Sequence, residues 1–101
     1  MIILNYKIIF IGYNLNQLEH IKKQLRYRSW HRGTREMDLL LGPFFDQYFS
    51  LFSESQLNLY ANFLENNDPD LYDWIMGYGV VPDLYKDIIA LVHKFLKDRT
   101  L

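Results

Sequence analysis

The chain has 101 residues, of which 50% are hydrophobic and 17% aromatic, and its formal net charge is −1. This length and apolar content predict one domain with one small core, and they exclude intrinsic disorder as the resting state. The lack of cysteine excludes a disulfide framework, a thiolate nucleophile and a cysteine-based zinc site. The three histidines are too scattered along the chain to form a metal-binding spacing, so we predict no metal site.

An apolar stretch, MIILNYKIIFIGY, opens the chain. It is shorter than the roughly 20 residues that a membrane span requires, and Lys7 interrupts it. It also lacks the basic start and cleavage site of a signal peptide and the Arg and Ser of a transit peptide. We predict an apolar extension over residues 1–13, either strand-like, docked on the body, or produced by an upstream start codon. Residues 14–101 are predicted to form a single helical domain.

The first predicted helix covers residues 14–30, with Asn14 or Asn16 as its N-cap. Its apolar face is formed at three- and four-residue spacing by Leu18, Ile21 and Leu25. Gly33 ends or bends this segment, because a residue without a Cβ tolerates unusual backbone angles and close approach.

The second predicted helix begins at Thr34 and has an apolar face formed by Met37, Leu40 and Leu41. Gly42 and Pro43 are expected to break or kink it, since proline has no N–H to donate within a helix. The helical pattern then continues through FFDQYFSLF.

Two further helices follow, each with a clear start signal. Ser53 to Gln56 reads S-E-S-Q, a capping box, and the inward residues of the third helix are Leu57, Tyr60, Ala61 and Leu64. The fourth helix is predicted to begin with Asp68 as its cap and Pro69 at its first position. Its buried stripe comprises Leu71, Trp74 and Ile75, and Gly77 or Gly79 closes it.

The last predicted helix begins at Asp83 and is amphipathic, and its apolar residues are Leu84, Ile88, Leu91, Val92 and Phe95. Lysine and arginine near its end suit the C-terminal dipole. No alternating strand pattern occurs after residue 13. The predicted fold class is all-α, a compact bundle of about five short helices.

Charge is segregated along the chain. Six cations and no acid lie between Lys22 and Arg35, whereas nine acids and no Lys or Arg lie between Glu36 and Tyr85. Such a split indicates either intramolecular pairing or a basic face for an anionic partner. Nucleic acid is disfavoured, because the large acidic remainder would repel the phosphate backbone.

The boundary between these two stretches reads HRGTRE. Arg32, Gly33 and Glu36 are expected to gather at the start of the second helix. There they form either a capped helix start, in which Glu36 offsets the helix dipole or pairs with Arg32, or a partner-binding patch. Trp30 can pack inward or serve as an anchor for a partner. His31 is expected at the surface.

The sequence also disfavours an enzyme. Asp68, Asp70 and Asp73 lie close together, but capping and the helix dipole explain the first two better than acid–base catalysis does. No nucleophilic triad pattern, phosphate-binding glycine loop or nucleotide fingerprint is present in the sequence. We therefore predict a protein without catalytic residues.

Two motifs nevertheless resemble a known family. The segments YRSWHRGTREMDLLLGPFFDQYF and NDPDLYDWIMG are similar to the SdhE-type factors that promote FAD attachment to the flavoprotein subunit of succinate dehydrogenase. The R-G-x-x-E signature of that family matches Arg32, Gly33 and Glu36, with Asp38 following. The D-P-D-L segment begins at Asp68, and the resemblance covers roughly residues 18–98. Some members of this family are also labelled antitoxins.

The resemblance implies a five-helix assembly factor in the bacterial cytoplasm, or in the mitochondrial matrix for eukaryotic relatives. It implies binding to the succinate dehydrogenase flavoprotein subunit, with fumarate reductase-type flavoproteins as further candidate clients. FAD would belong to the partner, where the histidyl–FAD bond forms, and would not be bound stably by this chain. The implied partner face comprises Arg32, Gly33, Glu36, Trp30, His31, Arg35 and Asp38. The alternative is a helical interaction module that binds nucleic acid or a toxin through its basic helix.

Overall fold

The computed structural model describes residues 13–99 and folds them into five α-helices. These are α1 (Leu15–Trp30), α2 (Arg35–Tyr48), α3 (Glu54–Phe63), α4 (Asp68–Met76) and α5 (Lys86–Arg99), with 3₁₀ segments at Phe49–Leu51 and Asp83–Tyr85. The predicted all-α class is confirmed. The predicted N-terminal extension lies outside the described residues, apart from Tyr13. Of the helices within residues 13–99, none is long and apolar enough to cross a membrane.

Polar caps start three helices where the sequence predicts. Asn14 caps α1 and Ser53 caps α3, each in a complete capping box. Thr34 caps α2, because its hydroxyl accepts a hydrogen bond from the Met37 N–H at 3.2 Å. At the end of α4, Gly77 takes the left-handed conformation with φ 79°, which closes the helix as expected.

The cap of α4 is Asn67, so the prediction of Asp68 was wrong. The Asn67 Oδ1 accepts a hydrogen bond from the Asp70 N–H at 3.0 Å. Asp68 is the first residue of the helix, and its carboxylate binds Arg32 and Gly33 instead. Asn and Asp are equally good caps, and a contact with a residue 36 positions earlier in the chain decides between them.

Helix α2 runs through Pro43 without a break, from Arg35 to Tyr48. Proline has no N–H, and it therefore leaves the carbonyl of Leu39, four residues earlier, without its helical donor. Arg99 on α5 replaces that donor, since its Nη1 lies 3.3 Å from the Leu39 oxygen. The lost backbone hydrogen bond thus becomes a contact between two helices.

Helices α1 and α2 meet where the Trp30 ring lies on Gly42. A Cβ on Gly42 would be no more than 2.7 Å from three carbons of that ring, well inside the roughly 3.5–4.0 Å of a normal carbon contact. Gly42 is therefore required for close packing rather than for breaking the helix. Trp30 is half-buried, and its Nε1 donates to Asp46 Oδ2 at 3.1 Å. Of its two predicted roles, the structure shows the inward one.

Aromatic rings form the centre of the core. The Phe45 and Tyr60 rings are stacked with centroids 5.3 Å apart, and Phe44 is equally buried beside them. The Tyr60 hydroxyl hydrogen-bonds the Ser29 Oγ at 2.7 Å, and Ser29 donates to the Leu25 carbonyl at 2.8 Å. Burial raises the pKa of Tyr60 well above its ordinary value, because a phenolate would lose its hydration there.

The start of the last helix differs from the prediction. Asp83–Tyr85 forms a 3₁₀ turn, and α5 begins at Lys86. A 3₁₀-helix has three residues per turn, whereas an α-helix has about 3.6. The buried face therefore shifts by one residue, so that Leu84 is 59% exposed and Tyr85 is buried. Farther along α5 the prediction was correct, and the core receives Ile88, Val92 and Phe95.

Candidate functional site

Arg32 anchors the loop of residues 31–34, which joins α1 to α2, to the turn between α3 and α4. Its Nε donates to Asp68 Oδ1 at 2.9 Å. Its Nη1 donates to the Leu64 carbonyl at 2.9 Å, and its Nη2 to the Asn66 carbonyl at 3.0 Å. The side chains of Arg32 and Asp68 are only 12% and 15% exposed. All three guanidinium nitrogens are thus engaged within the protein.

Gly33 completes this arrangement from the backbone. Its N–H donates to Asp68 Oδ2 at 2.6 Å, so consecutive residues bind the two oxygens of one carboxylate. A Cβ on Gly33 would lie 2.7 Å from the same Oδ2, closer than a side chain tolerates. Glycine therefore lets the loop approach the carboxylate, and an added side chain would require the Asp68 carboxylate to move. We call Arg32, Gly33 and Asp68 the clamp.

Asp38 holds the loop from its other side. Its Oδ1 accepts a hydrogen bond from the Arg32 N–H at 2.5 Å. Asp38 lies in the first turn of α2, where the partial positive charge of the helix N-terminus also favours an anion. Two carboxylates from different helices, Asp38 and Asp68, therefore fix the loop of residues 31–34.

Glu36 is the member of the R-G-x-x-E motif that stays outside the clamp. It is exposed, and within residues 13–99 no hydrogen bond or ion pair joins it to another residue. The alternative in which Glu36 pairs with Arg32 is wrong, because Asp68 occupies the guanidinium. Arg35 is likewise exposed and without an ion pair in the described part of the chain.

The two aromatic residues predicted for this face, Trp30 and His31, differ in their surroundings. His31 is exposed, its ring is stacked on Tyr27 with centroids 3.9 Å apart, and its Nδ1 lies 2.8 Å from the Tyr27 carbonyl. Trp30 faces Gly42 and Asp46, away from the clamp. Of the seven predicted residues, the structure brings together Arg32, Gly33 and Asp38 and places Glu36 and Arg35 on the adjoining surface.

Asp68 is the site residue that the sequence prediction missed. The sequence pattern of the D-P-D-L segment indicates a capping role for Asp68, whereas in the fold its carboxylate binds Arg32 and Gly33. The one local signal for it is Asn67, an equally good cap that can leave the Asp68 carboxylate available for another partner. Its pairing with Arg32 crosses 36 residues, a distance that local sequence patterns do not report.

The segregated charges pair within the molecule. Arg26 binds Asp46 at 2.8 Å, Arg28 binds Glu65 at 2.5 Å and Arg32 binds Asp68 at 2.9 Å. Three of the six cations in the basic stretch therefore meet acids of the acidic stretch, as the intramolecular alternative predicts. This pairing lowers the positive charge available to an anionic partner.

A surface groove begins beside the clamp. One depression of about 300 Å³ is lined by Thr34, Glu36, Met37, Asp68, Pro69, Tyr72 and Asp73. A second, of about 450 Å³, is lined by Glu36, Leu39, Leu40, Tyr72, Met76, Leu96 and Arg99. Both are bordered by Glu36 and Tyr72, so they are neighbours on the surface, and we call the two together the α2–α4–α5 groove. Within residues 13–99, no group of three or more His, Asp or Glu side chains is arranged to hold a metal ion.

A family model described as flavinator of succinate dehydrogenase matches residues 23–96. Among curated proteins, the chain is 35% identical over 94 residues to the mitochondrial succinate dehydrogenase assembly factor 2 of Dictyostelium discoideum, which covers 92% of this chain and 67% of that protein. It is 35% identical over 69 residues to the FAD assembly factor SdhE of Pectobacterium atrosepticum, covering 67% of this chain and 78% of that protein. For the factor of the same name from Vibrio cholerae, the identity is 37% over 65 residues, which cover 64% of this chain and 73% of that protein.

Proposed function

The chain belongs to the family described as flavinator of succinate dehydrogenase, and from this premise we propose that it is an assembly factor for that enzyme. It binds the flavoprotein subunit of succinate dehydrogenase and promotes the covalent attachment of FAD. The observation that carries the proposal is the family match over residues 23–96, which includes the whole clamp and Glu36. The names of the relatives from a eukaryote, Dictyostelium discoideum, and a bacterium, Pectobacterium atrosepticum, agree with this role.

The proposed mechanism uses binding rather than catalytic groups. A rigid surface that binds one conformation of the client raises the population of that conformation. If that conformation holds the acceptor side chain against the flavin, the reaction gains from proximity and orientation. The chain then needs a fixed surface, and the engagement of Arg32 and Asp68 at 12% and 15% exposure supports such rigidity.

The seven residues of the predicted face have different tasks in this proposal. Glu36 contacts the client, because its carboxylate is exposed and unpaired in the described part of the chain. His31 and Arg35, which are also exposed and stand at the two ends of the loop in sequence, complete the polar contact in this proposal. The positioning residues that hold this surface are Arg32, Gly33, Asp38 and Trp30.

FAD belongs to the partner in this proposal. The groove beside the clamp is lined by the carboxylates of Glu36, Asp68 and Asp73. The diphosphate of FAD would meet these like charges, and like-charge juxtaposition is costly. The lining of this groove therefore does not suit FAD, and the proposal assigns no chemical step to the cofactor on this chain.

The proposal also covers the cellular location of the chain and its further client proteins. We propose a role in the bacterial cytoplasm, as the resemblance implies, and fumarate reductase-type flavoproteins as further clients. For either class of client, the proposal assigns no catalytic residue to this chain.

The test is covalent flavinylation in cells that lack their own assembly factor. The flavoprotein subunit is expressed with the wild-type chain, without it, or with Glu36→Gln, and covalent FAD is read by in-gel flavin fluorescence. We expect the wild type to raise the flavinylated fraction and Glu36→Gln to raise it less, at an unchanged melting temperature. Glu19→Gln, which alters an exposed glutamate on α1, is the matched control. Equal flavinylation with and without the chain would contradict the proposal.

A further inference from the structure

The α2–α4–α5 groove has an apolar floor that the clamp does not use. Leu40, Tyr72, Met76 and Leu96 are half-buried, and Leu39 is 44% exposed at its edge. These side chains come from three helices, α2, α4 and α5. A cleft shared by three packed helices keeps its shape, so it can receive a partner without large rearrangement.

The charges of the groove differ between its two ends. At the clamp end, Glu36 and Asp73 are exposed, and neither has an ion pair within residues 13–99. At the other end, Arg99 lies over the Phe95 ring at 5.1 Å and contacts the Leu39 carbonyl. The charges therefore differ along the groove, because Asp73 lines only the depression beside the clamp and Arg99 lines only the other.

We infer that this groove docks an amphipathic segment of the flavoprotein subunit. The segment carries a lysine or arginine that meets Glu36 and Asp73, and apolar side chains that fill the cleft beside Leu39 and Met76. Opposite charges at the two ends fix the direction in which the segment lies, because complementary potentials set the register of a complex. This inference rests on the proposed function and adds the location and chemistry of the contact.

Two groove variants test the inference, each with a matched control. Leu39→Ser removes an exposed apolar contact, and Leu51→Ser makes the same change at a leucine that is 74% exposed and lines no part of this groove. Asp73→Lys reverses a charge in the groove, and Asp70→Lys makes the same reversal on the same helix outside it. All four positions are exposed, so the variants are expected to fold, which thermal unfolding checks.

The probe is the purified flavoprotein subunit, and its dissociation constant is measured for each variant. We expect Leu39→Ser and Asp73→Lys to weaken binding about tenfold, as for contacts near the centre of an interface. The two controls are expected to bind like the wild type. The effect of Asp73→Lys should shrink from about 0.05 M to about 1 M salt, whereas that of Leu39→Ser should persist, because salt screens only charges.

The outcomes separate the inference from the proposed function. If the wild type raises flavinylation but the groove variants bind as tightly as their controls, the groove inference is overturned and the assembly role stands. If all four variants weaken binding equally, the effect is not local to the groove and the inference is again overturned. If the wild type neither binds the subunit nor raises flavinylation, both fail together.

Discussion

Removing the carboxylate of the clamp gives the sharpest prediction for stability. In Asp68→Ala, Arg32 keeps its two carbonyl acceptors but loses its counter-charge, and the Gly33 N–H loses its acceptor. Breaking a fully buried ion pair costs about 3–5 kcal/mol. Because these side chains retain 12% and 15% exposure, water offsets part of that cost, and we expect about 2–3 kcal/mol. For a domain of this size, that lowers the melting temperature by roughly 10–20 °C.

The matched control is Glu65→Ala. It breaks the Arg28–Glu65 pair, whose side chains are 34% and 71% exposed, so its cost should stay below about 1 kcal/mol. Urea and thermal unfolding, followed by circular dichroism, give both free energies. If Asp68→Ala costs no more than Glu65→Ala, the clamp does not hold the loop and the reasoning is refuted.

Three other changes have defined outcomes. Gly42→Ala should cost about 1–3 kcal/mol in urea unfolding because its Cβ meets the Trp30 ring. Gly79→Ala should be neutral, because its Cβ would make only ordinary contacts with Asp73 and Trp74 at 3.8 and 4.0 Å; a stabilised Gly42→Ala would contradict this packing. Asn67→Ala should cost about 1 kcal/mol through the loss of the α4 cap, and an unchanged midpoint would refute that assignment. The pKa of Tyr60 is raised in the folded state, so ionisation of the phenol favours the unfolded chain. Below about pH 10 the phenol of the unfolded chain is protonated and the stability is complete, and stability is lost as the pH rises toward the folded pKa. Wild type should therefore lose roughly 1 kcal/mol more than Tyr60→Phe between about pH 10 and 11, and parallel losses would argue against it.

The helices were largely predictable from the sequence. Capping boxes and a 3.6-residue apolar period are local signals, and they located the starts of α1 and α3 and the buried faces around Leu25 and Leu57. The closing glycine of α4 was also predicted, as one of two candidates, because a left-handed residue follows a local rule.

Two of the errors have a common physical cause, which is contact between residues far apart in the chain. The role of Gly42 depends on Trp30, and the choice between Asn67 and Asp68 depends on Arg32. The exposed position of Leu84 follows from a short 3₁₀ turn, whose period the helical pattern does not contain. The sequence therefore indicated the motif correctly, but the partner of its arginine became visible only in the folded chain.

The most direct test of the assembly role uses purified components. The flavoprotein subunit without its cofactor is mixed with FAD and with the wild-type chain, Glu36→Gln or buffer, and the covalently flavinylated fraction is followed over time. The account predicts faster and more complete flavinylation with the wild type, and a smaller gain with Glu36→Gln at an equal melting temperature. Identical time courses in all three reactions would contradict it.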